Sequence, residues 1–364
     1  MIILCLCQED NHRKMLPAYA RTFRDYGVGF YCVDWSPPFD APLNEVVERC
    51  PRRPDCILHF DSDFPLLPEG LAESDIPTAH FDVDTYVASA RRMRWASLFD
   101  LVSVCHPRYD ELFRRKGHPG AFLLPHAVRR DLFDRPELSR EYEIGWVGQV
   151  KGRIYRTRQE WLPRLASSFR MNDWKRSYTQ EEVADIYRRS RVVVNFGRDD
   201  FPNDANMRVF EVLAAGALLI TSVPSELSDL GFQDGVNFIG YRTETEVVPL
   251  VRKYLENEAL CSRVAQAGQE KVLREHTYDC RVDQFLNHFQ SFGKQKLAPA
   301  RHWPKSRVRL MYLDFFAAHG VPTLALAQLR RFAGRNLGET MAGVLALAGA
   351  FVREFRQLFA RWRP

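Results

Sequence analysis

The chain has 364 residues, of which 46% are hydrophobic, 27% charged and 12% aromatic, and its formal net charge is +5. That length exceeds one ordinary core and predicts two domains, while the apolar and aromatic content excludes a disordered chain. From residue 294 onward 13 Lys and Arg face three acids, a balance of +10, so the preceding 293 residues carry −5 and no nucleic-acid partner is expected.

Short apolar runs and amphipathic stretches alternate over the first 135 residues. Strands are predicted at 2–7, 29–33, 56–60, 78–81, 101–105 and 122–124, and helices at 13–26, 43–49, 86–98 and 108–115. Such alternation predicts a parallel sheet covered on both faces. Residues 131–143 are polar, contain Pro136 and read as a linker. A second alternation follows, with strands at 142–147, 192–196, 217–221 and 237–241. Thr179-x-x-Glu182 and Thr243-x-x-Glu246 read as capping boxes that open helices. The sequence thus predicts two Rossmann-like α/β domains, 1–135 and 136–293, facing a cleft where ligands gather at the carboxyl ends of strands.

From residue 294 to 364 the chain reads as a helical, basic extension. Val344, Ala348, Phe351, Phe355, Leu358 and Trp362 fall on one helical face, with Arg353, Arg356 and Arg363 roughly opposite. A basic amphipathic helix of this kind suits an anionic membrane surface, and equally suits packing on the body with its arginines solvated. Eight cysteines form no C-x-x-C pair and no cluster with histidine, so free thiols in a reducing, cytoplasmic compartment are expected and a structural zinc is not. The apolar start at residues 1–7 lacks the basic leader of a signal sequence, and no run reaches the roughly 18 apolar residues of a spanning helix.

The usual phosphate cradles of redox enzymes and NTPases are missing: Gln8-Glu9-Asp10-Asn11-His12 stands after the first strand in place of G-x-G-x-x-G, and no Walker lysine motif occurs. Polar residues gather instead at strand ends. His59-Phe60-Asp61-Ser62-Asp63 and His80-Phe81-Asp82-Val83-Asp84 place His and Asp after first-domain strands, and His12 and His126 lie in loops of the same kind. Asp82, His12, His126 and Asp61 are therefore candidates to bind an acceptor or take its proton, the alternatives being turn-forming or helix-capping Asp and structural His. In the second domain Gly148-Gln149-Val150-Lys151-Gly152-Arg153 allows close approach to the backbone, and Lys151 and Arg153 are candidate phosphate contacts. The polar stretch 203–206 then opens a helix carrying Arg208 and Glu211. A guanidinium and a carboxylate one turn apart at a helix N-terminus suit a ligand with an anion and a ribose diol, or form an ordinary i,i+3 pair.

In order, Leu-Leu-Pro-His126-Ala-Val, Ile144-Gly145-Trp146-Val147-Gly148, Val-Val-Val-Asn195-Phe and Asn206-x-Arg208-x-Phe210-Glu211-x-x-Ala214-x-Gly216 precede His276-Thr277-Tyr278-x-x-Arg281. Over residues 120–290 this series resembles GT-B glycosyltransferases, in particular group-1 transferases related to family 4 and their spore-maturation-protein-like branch. The resemblance implies that Glu211 holds a nucleotide ribose, that Arg208 contacts phosphate, and that Asn206, Gly148, Lys151, Arg153 and Asn195 line a donor site. It implies a nucleotide-sugar substrate, UDP- or GDP-linked, with no other cofactor and no metal. Family 4 enzymes usually carry a further Glu eight positions before Glu211, where this chain has Asn203.

The expected activity is transfer of a sugar from a nucleotide-sugar to a glycan or lipid-linked acceptor in cell-surface polysaccharide assembly. The basic extension would then dock the enzyme to the inner membrane face. A nucleotide-sugar epimerase of the same architecture and a non-catalytic nucleotide-sugar-binding scaffold are the alternatives, and transfer to modified phage DNA is disfavoured by the acidic body.

Overall fold

The computed structural model describes residues 1–9, 15–33, 41–61, 66–133, 135, 138–292, 295–319 and 321–330. The chain divides into two units: residues 1–105, 109–123 and 286–364 form the first, and residues 106–108 with 124–285 the second.

The first unit is built on a parallel sheet of β1 (Ile2–Cys5), β2 (Gly29–Cys32), β3 (Cys56–Phe60), β4 (Thr78–Asp82), β5 (Leu101–Val104) and β6 (Ala121–Leu123), in the order β2-β1-β3-β4-β5-β6. Every residue of β3, β4 and β5 is buried, as expected of strands covered on both faces. The register between β3 and β4 sets His59 beside His80 and brings Asp82 to the carboxyl end of the sheet.

The helix Lys305–Ala318 belongs to this unit. Val308, Met311, Tyr312, Leu313, Phe315, Phe316 and Ala317 join Leu4, Ile57, Val102 and Val104 in one core. Of the basic extension expected from residue 294, for which packing on the body was one of two readings, the part up to the helix Pro322–Arg330 belongs to the first unit. The reason lies in its composition: a helix apolar around most of its circumference has to be buried. Its acid Asp314 meets Arg91 and Arg94 at 3.5 and 3.2 Å. The amphipathic face at 344–362 lies outside the described residues.

The second unit has the parallel strands β7 (Tyr142–Gly145), β8 (Ser190–Asn195), β9 (Leu218–Ser222) and β10 (Ile239–Tyr241), each paired with the next. Alternate residues feed two cores, one per face. Val193 and Leu219 pack with Val209, Phe210 and Leu213 of the helix Met207–Ala214, whereas Val192, Val194, Leu218 and Ile220 pack with Leu162, Leu165, Val247 and Val251. The capping box at Thr179 forms in both directions. At Thr243 the box does not cap: a 3-10 turn at Glu244–Glu246 precedes the helix Val247–Glu256.

Candidate functional site

In the second unit, three segments meet at the carboxyl ends of β7 and β8 and the start of the helix Met207–Ala214. Trp146 follows β7 and is fully buried, its backbone locked to the Asn172 side chain by bonds of 2.8 and 2.9 Å. Arg208 reaches back from the first turn of the helix. Its Nε donates to the Val147 carbonyl and its Nη1 to Asn195 Oδ1, both at 2.8 Å, and the guanidinium lies 5.2 Å from the Trp146 ring centroid. Asn195 is aimed by a 3.0 Å bond from its Nδ2 to Thr221 Oγ1. A Cβ at Gly148 would collide with the Arg208 guanidinium and crowd the Trp146 ring, so only glycine lets that cation lie against the backbone.

A second guanidinium, absent from the sequence-based expectation, shares the indole. Arg158, on the helix Arg156–Ser168, is only 4% exposed. It donates from Nε to the Phe196 carbonyl at 2.9 Å and from Nη1 to the Gln149 carbonyl at 2.8 Å, and it lies 5.9 Å from the Trp146 ring and 4.3 Å from the Tyr155 ring. Burial, and then the charge of Arg208, pull its pKa down to about 10. Among the described residues neither arginine forms an ion pair with a carboxylate. Two cations held together by carbonyls and an amide leave a positive site whose natural complement is an anion.

The other expected donor residues fall around this pair. Glu211 is buried one turn after Arg208. Asn206 occupies the N-cap position, yet its amide donates to Asp204 Oδ1 at 3.0 Å and its side chain does not cap the first-turn N–H groups. Lys151 and Arg153 are exposed, on a loop tied by Gln159 Nε2 to the carbonyls of Val150 and Gly152. His126 is buried in this unit, its ring 5.7 Å from that of His106 and 6.4 Å from that of Phe210.

The acid–base candidates of the first unit form a separate cluster. Arg92 Nη1 donates to Asp61 Oδ2 at 2.5 Å and to Asp82 Oδ1 at 2.9 Å, and Asp82 Oδ2 is buried without a hydrogen-bond partner. Burial, opposed by Arg92 and reinforced by Asp61, pushes Asp82 up to about 7. Burial also raises Asp61, but Arg92, His80 and hydrogen bonds outweigh it and hold that carboxyl below its ordinary value. His59 Nδ1 lies 2.9 Å from His80 Nδ1. Burial lowers both, His80 to about 4, so the pair is neutral at physiological pH. His12 lies outside the described residues.

Among the described residues no group of three or more His, Cys, Asp or Glu side chains is arranged to hold a metal, and no helix is long and apolar enough to cross a membrane. All eight cysteines are free thiols.

Residues 137–287 match the model of a family described as glycosyl transferase-like. A search of curated proteins by sequence gives no match. Among solved structures the chain is similar to HepE of Anabaena in complex with UDP-glucose, at 10% identity and a TM-score of 0.57, over 80% of this chain and 99% of that one. It is similar to sucrose-phosphate synthase from Thermosynechococcus elongatus, at 12% identity and a TM-score of 0.54, over 80% and 98% of the two chains. A glycosyltransferase from Rickettsia africae aligns at 8% identity and a TM-score of 0.51, over 81% and 90%. The chain therefore has the GT-B fold, and its residues 137–287 match a glycosyl transferase-like family model.

Proposed function

We propose that this protein is a glycosyltransferase that uses a nucleotide-sugar, UDP- or GDP-linked, and passes a hexosyl group to a glycan or lipid-linked acceptor. The observation that carries the reading is the pair of guanidiniums on Trp146, buried Arg158 and half-buried Arg208, with no carboxylate paired to either among the described residues. In transfer, the bond between the anomeric carbon and the phosphate oxygen breaks, and its electron pair leaves with the nucleoside diphosphate. A new carbon–oxygen bond forms to an acceptor hydroxyl, whose proton departs to a base. Fixed cations aimed at the leaving phosphate lower that barrier, and the uncapped first turn beginning at Met207 adds N–H donors to them.

In this reading Asn195 and Gly148 seat Arg208, and Asn206 opens the helix that carries Glu211, which holds the ribose diol. Lys151 and Arg153 serve as outer phosphate contacts, and the diphosphate charge is met by guanidiniums with no metal required. UDP is favoured over GDP because the similar HepE structure is a UDP-glucose complex. Asp82, with its pKa near 7, takes the acceptor proton, and Asp61, His126 and His12 are the alternatives to it. We place the chain in the spore-maturation-protein-like branch of the group-1 transferases and assign its acceptors to cell-surface polysaccharide assembly. In this assignment it works at the cytoplasmic face of the membrane, with the apolar and basic residues of 344–362 seated on anionic lipid. The domain-level form of the proposal is an acceptor domain over residues 1–135, a donor domain over 136–293 and the basic extension beyond.

A thermal-shift screen against UDP, GDP, TDP, CMP and their sugars tests the donor reading. A nucleotide present at 100 times its dissociation constant adds about 2.7 kcal/mol of stability. No stabilisation of the wild-type protein by any of them overturns the proposal. Co-sedimentation with anionic vesicles, before and after removal of the residues beyond 330, tests the membrane assignment.

A further inference from the structure

The loop that delivers Arg208 and Glu211 is pinned to the end of β9 and the segment after it by three bonds. Ser222 Oγ donates to the Pro202 carbonyl at 2.8 Å, Glu226 N–H to the Asn203 carbonyl at 3.0 Å, and Ala205 N–H to Glu226 Oε2 at 3.1 Å. That same carboxylate oxygen lies 2.7 Å from Nδ1 of His106. His106 is 1% exposed and Glu226 7%, and both belong to the second unit. A carboxylate taken out of water is costly unless donors surround it, and here the donors are one backbone amide and one imidazole. Nδ1 is thus the nitrogen of His106 that faces this carboxylate.

His106 also bears on the other end of the same loop. Its ring stands edge-on to Phe201, with centroids 5.2 Å apart, while Phe201 N–H closes a turn on the Arg198 carbonyl at 3.0 Å. Residues 201 and 205 are thus both fixed by one side-chain pair. Between them and the helix, Asp204 is buried and bonded to Asn206, and burial raises its carboxyl above the ordinary value.

We propose that Glu226 and His106 are positioning residues for the nucleotide grip, a role that rests on the transferase reading. They hold the 201–206 loop so that Arg208 and Glu211 leave it at the angle the ligand requires, without touching the ligand themselves.

The test combines hydrogen exchange at the Ala205 amide with calorimetric titration of UDP. Glu226→Ala and His106→Gln speed exchange over 201–206 and raise the UDP dissociation constant about tenfold or more, the scale of a small misplacement of binding groups. Glu226→Gln keeps an acceptor for Ala205 and restores UDP affinity to within about threefold of wild type, since the neutral amide oxygen still makes the backbone bond. Should Glu226→Ala prove unfolded, His106→Gln carries the same two readouts alone. Lower thermal stability with unchanged loop exchange and unchanged UDP affinity in the folded variants overturns the proposal. A wild-type protein that binds no UDP while its variants speed loop exchange defeats the nucleotide reading and spares the pin. Binding by the wild type with unmoved variants defeats the pin alone.

Discussion

Arg158 lies on the buried stripe of its helix with Leu162 and Leu165, spaced i, i+4 and i+7. A cation on an apolar stripe needs a compensating ligand or a set of carbonyls, and this one has only carbonyls and rings. Arg158→Ala is accordingly expected to weaken UDP binding ten- to a hundredfold, about 1.5–3 kcal/mol for a charged hydrogen bond, while the unliganded protein keeps its melting temperature within a few degrees. Titration calorimetry and a melt of the unliganded variant read the two effects separately. At Asp82 the folded pKa of about 7 exceeds the ordinary value of 3.8, so the folded state holds that proton more tightly than the unfolded one. The contribution of Asp82 to stability therefore falls as pH rises from about 4 to about 7. Asp82→Asn, always neutral, should melt near wild type at pH 4 and above it at pH 8. A variant that melts lower at pH 8 would contradict a strained carboxylate.

Of these residues, Arg208 and Glu211 were legible in the sequence because a polar stretch ends abruptly in an apolar helix just where they stand. Arg158 was not, since it stands in a run of basic residues at 151, 153, 156 and 158 with no motif to set it apart. The signal that could have found it was the phase of that helix, in which position 158 shares the side of Leu162 and Leu165. The His106–Glu226 pair is separated by 120 residues and has no spacing motif, so only the fold brings it together.

At the scale of elements, each of the ten expected strands is present, with ends shifted by up to two residues. Strands buried on both faces announce themselves as continuous apolar runs, and register follows from which faces must be covered. Helix packing is less visible in advance, and Gly268 is an instance. It sits inside the helix Glu258–Glu275, where alanine ordinarily gains about 1 kcal/mol. Here a Cβ would stand 2.5 Å from the Asn237 carbonyl oxygen and 2.7 Å from Leu213 Cδ2. Gly268→Ala should therefore destabilise the second unit by about 1–3 kcal/mol, the usual cost of overpacking, measurable as a lower urea midpoint at unchanged slope. The helix Lys305–Ala318 lies in the extension for which membrane docking and packing on the body were both open, and it packs in the core of the first unit. Its net basic surroundings drew attention, whereas the run from Met311 to Ala317, interrupted only by Asp314, was the better guide to burial.

For the molecule as a whole, buried histidines set the response to acid. Burial lowers His59, His118 and His319, and takes His80 to about 4 and His276 to about 3, the latter helped by the Arg281 guanidinium 2.5 Å from its Nδ1. A histidine depressed in the folded state contributes stability above its ordinary value of 6.5 and loses it as pH falls toward the folded value. Each strongly depressed one costs about 2 kcal/mol at pH 5. Asp82 and Asp204, both raised by burial, act in the opposite direction. These five histidines, with His288 also lowered by burial, against two raised carboxyls predict a net loss, so calorimetric scans should show a clearly lower melting temperature at pH 5 than at pH 7. An unchanged or higher value at pH 5 would mean that the carboxyls dominate.

The division of the chain also fixes an order of events during synthesis. The second unit is contiguous from residue 124 to 285 apart from the three residues 106–108, whereas the first is open until residues beyond 286 arrive. While the ribosome is still translating the middle of the chain, the apolar side chains of Leu4, Ile57, Val102 and Val104 wait for partners such as Met311, Phe315 and Phe316. The half made first is thus finished last, and its unfinished sheet is the species most in need of a chaperone. A chain released at residue 296 should show the asymmetry directly: limited proteolysis would degrade residues 1–123 and spare 124–285, and adding the peptide 297–330 in trans would restore protection.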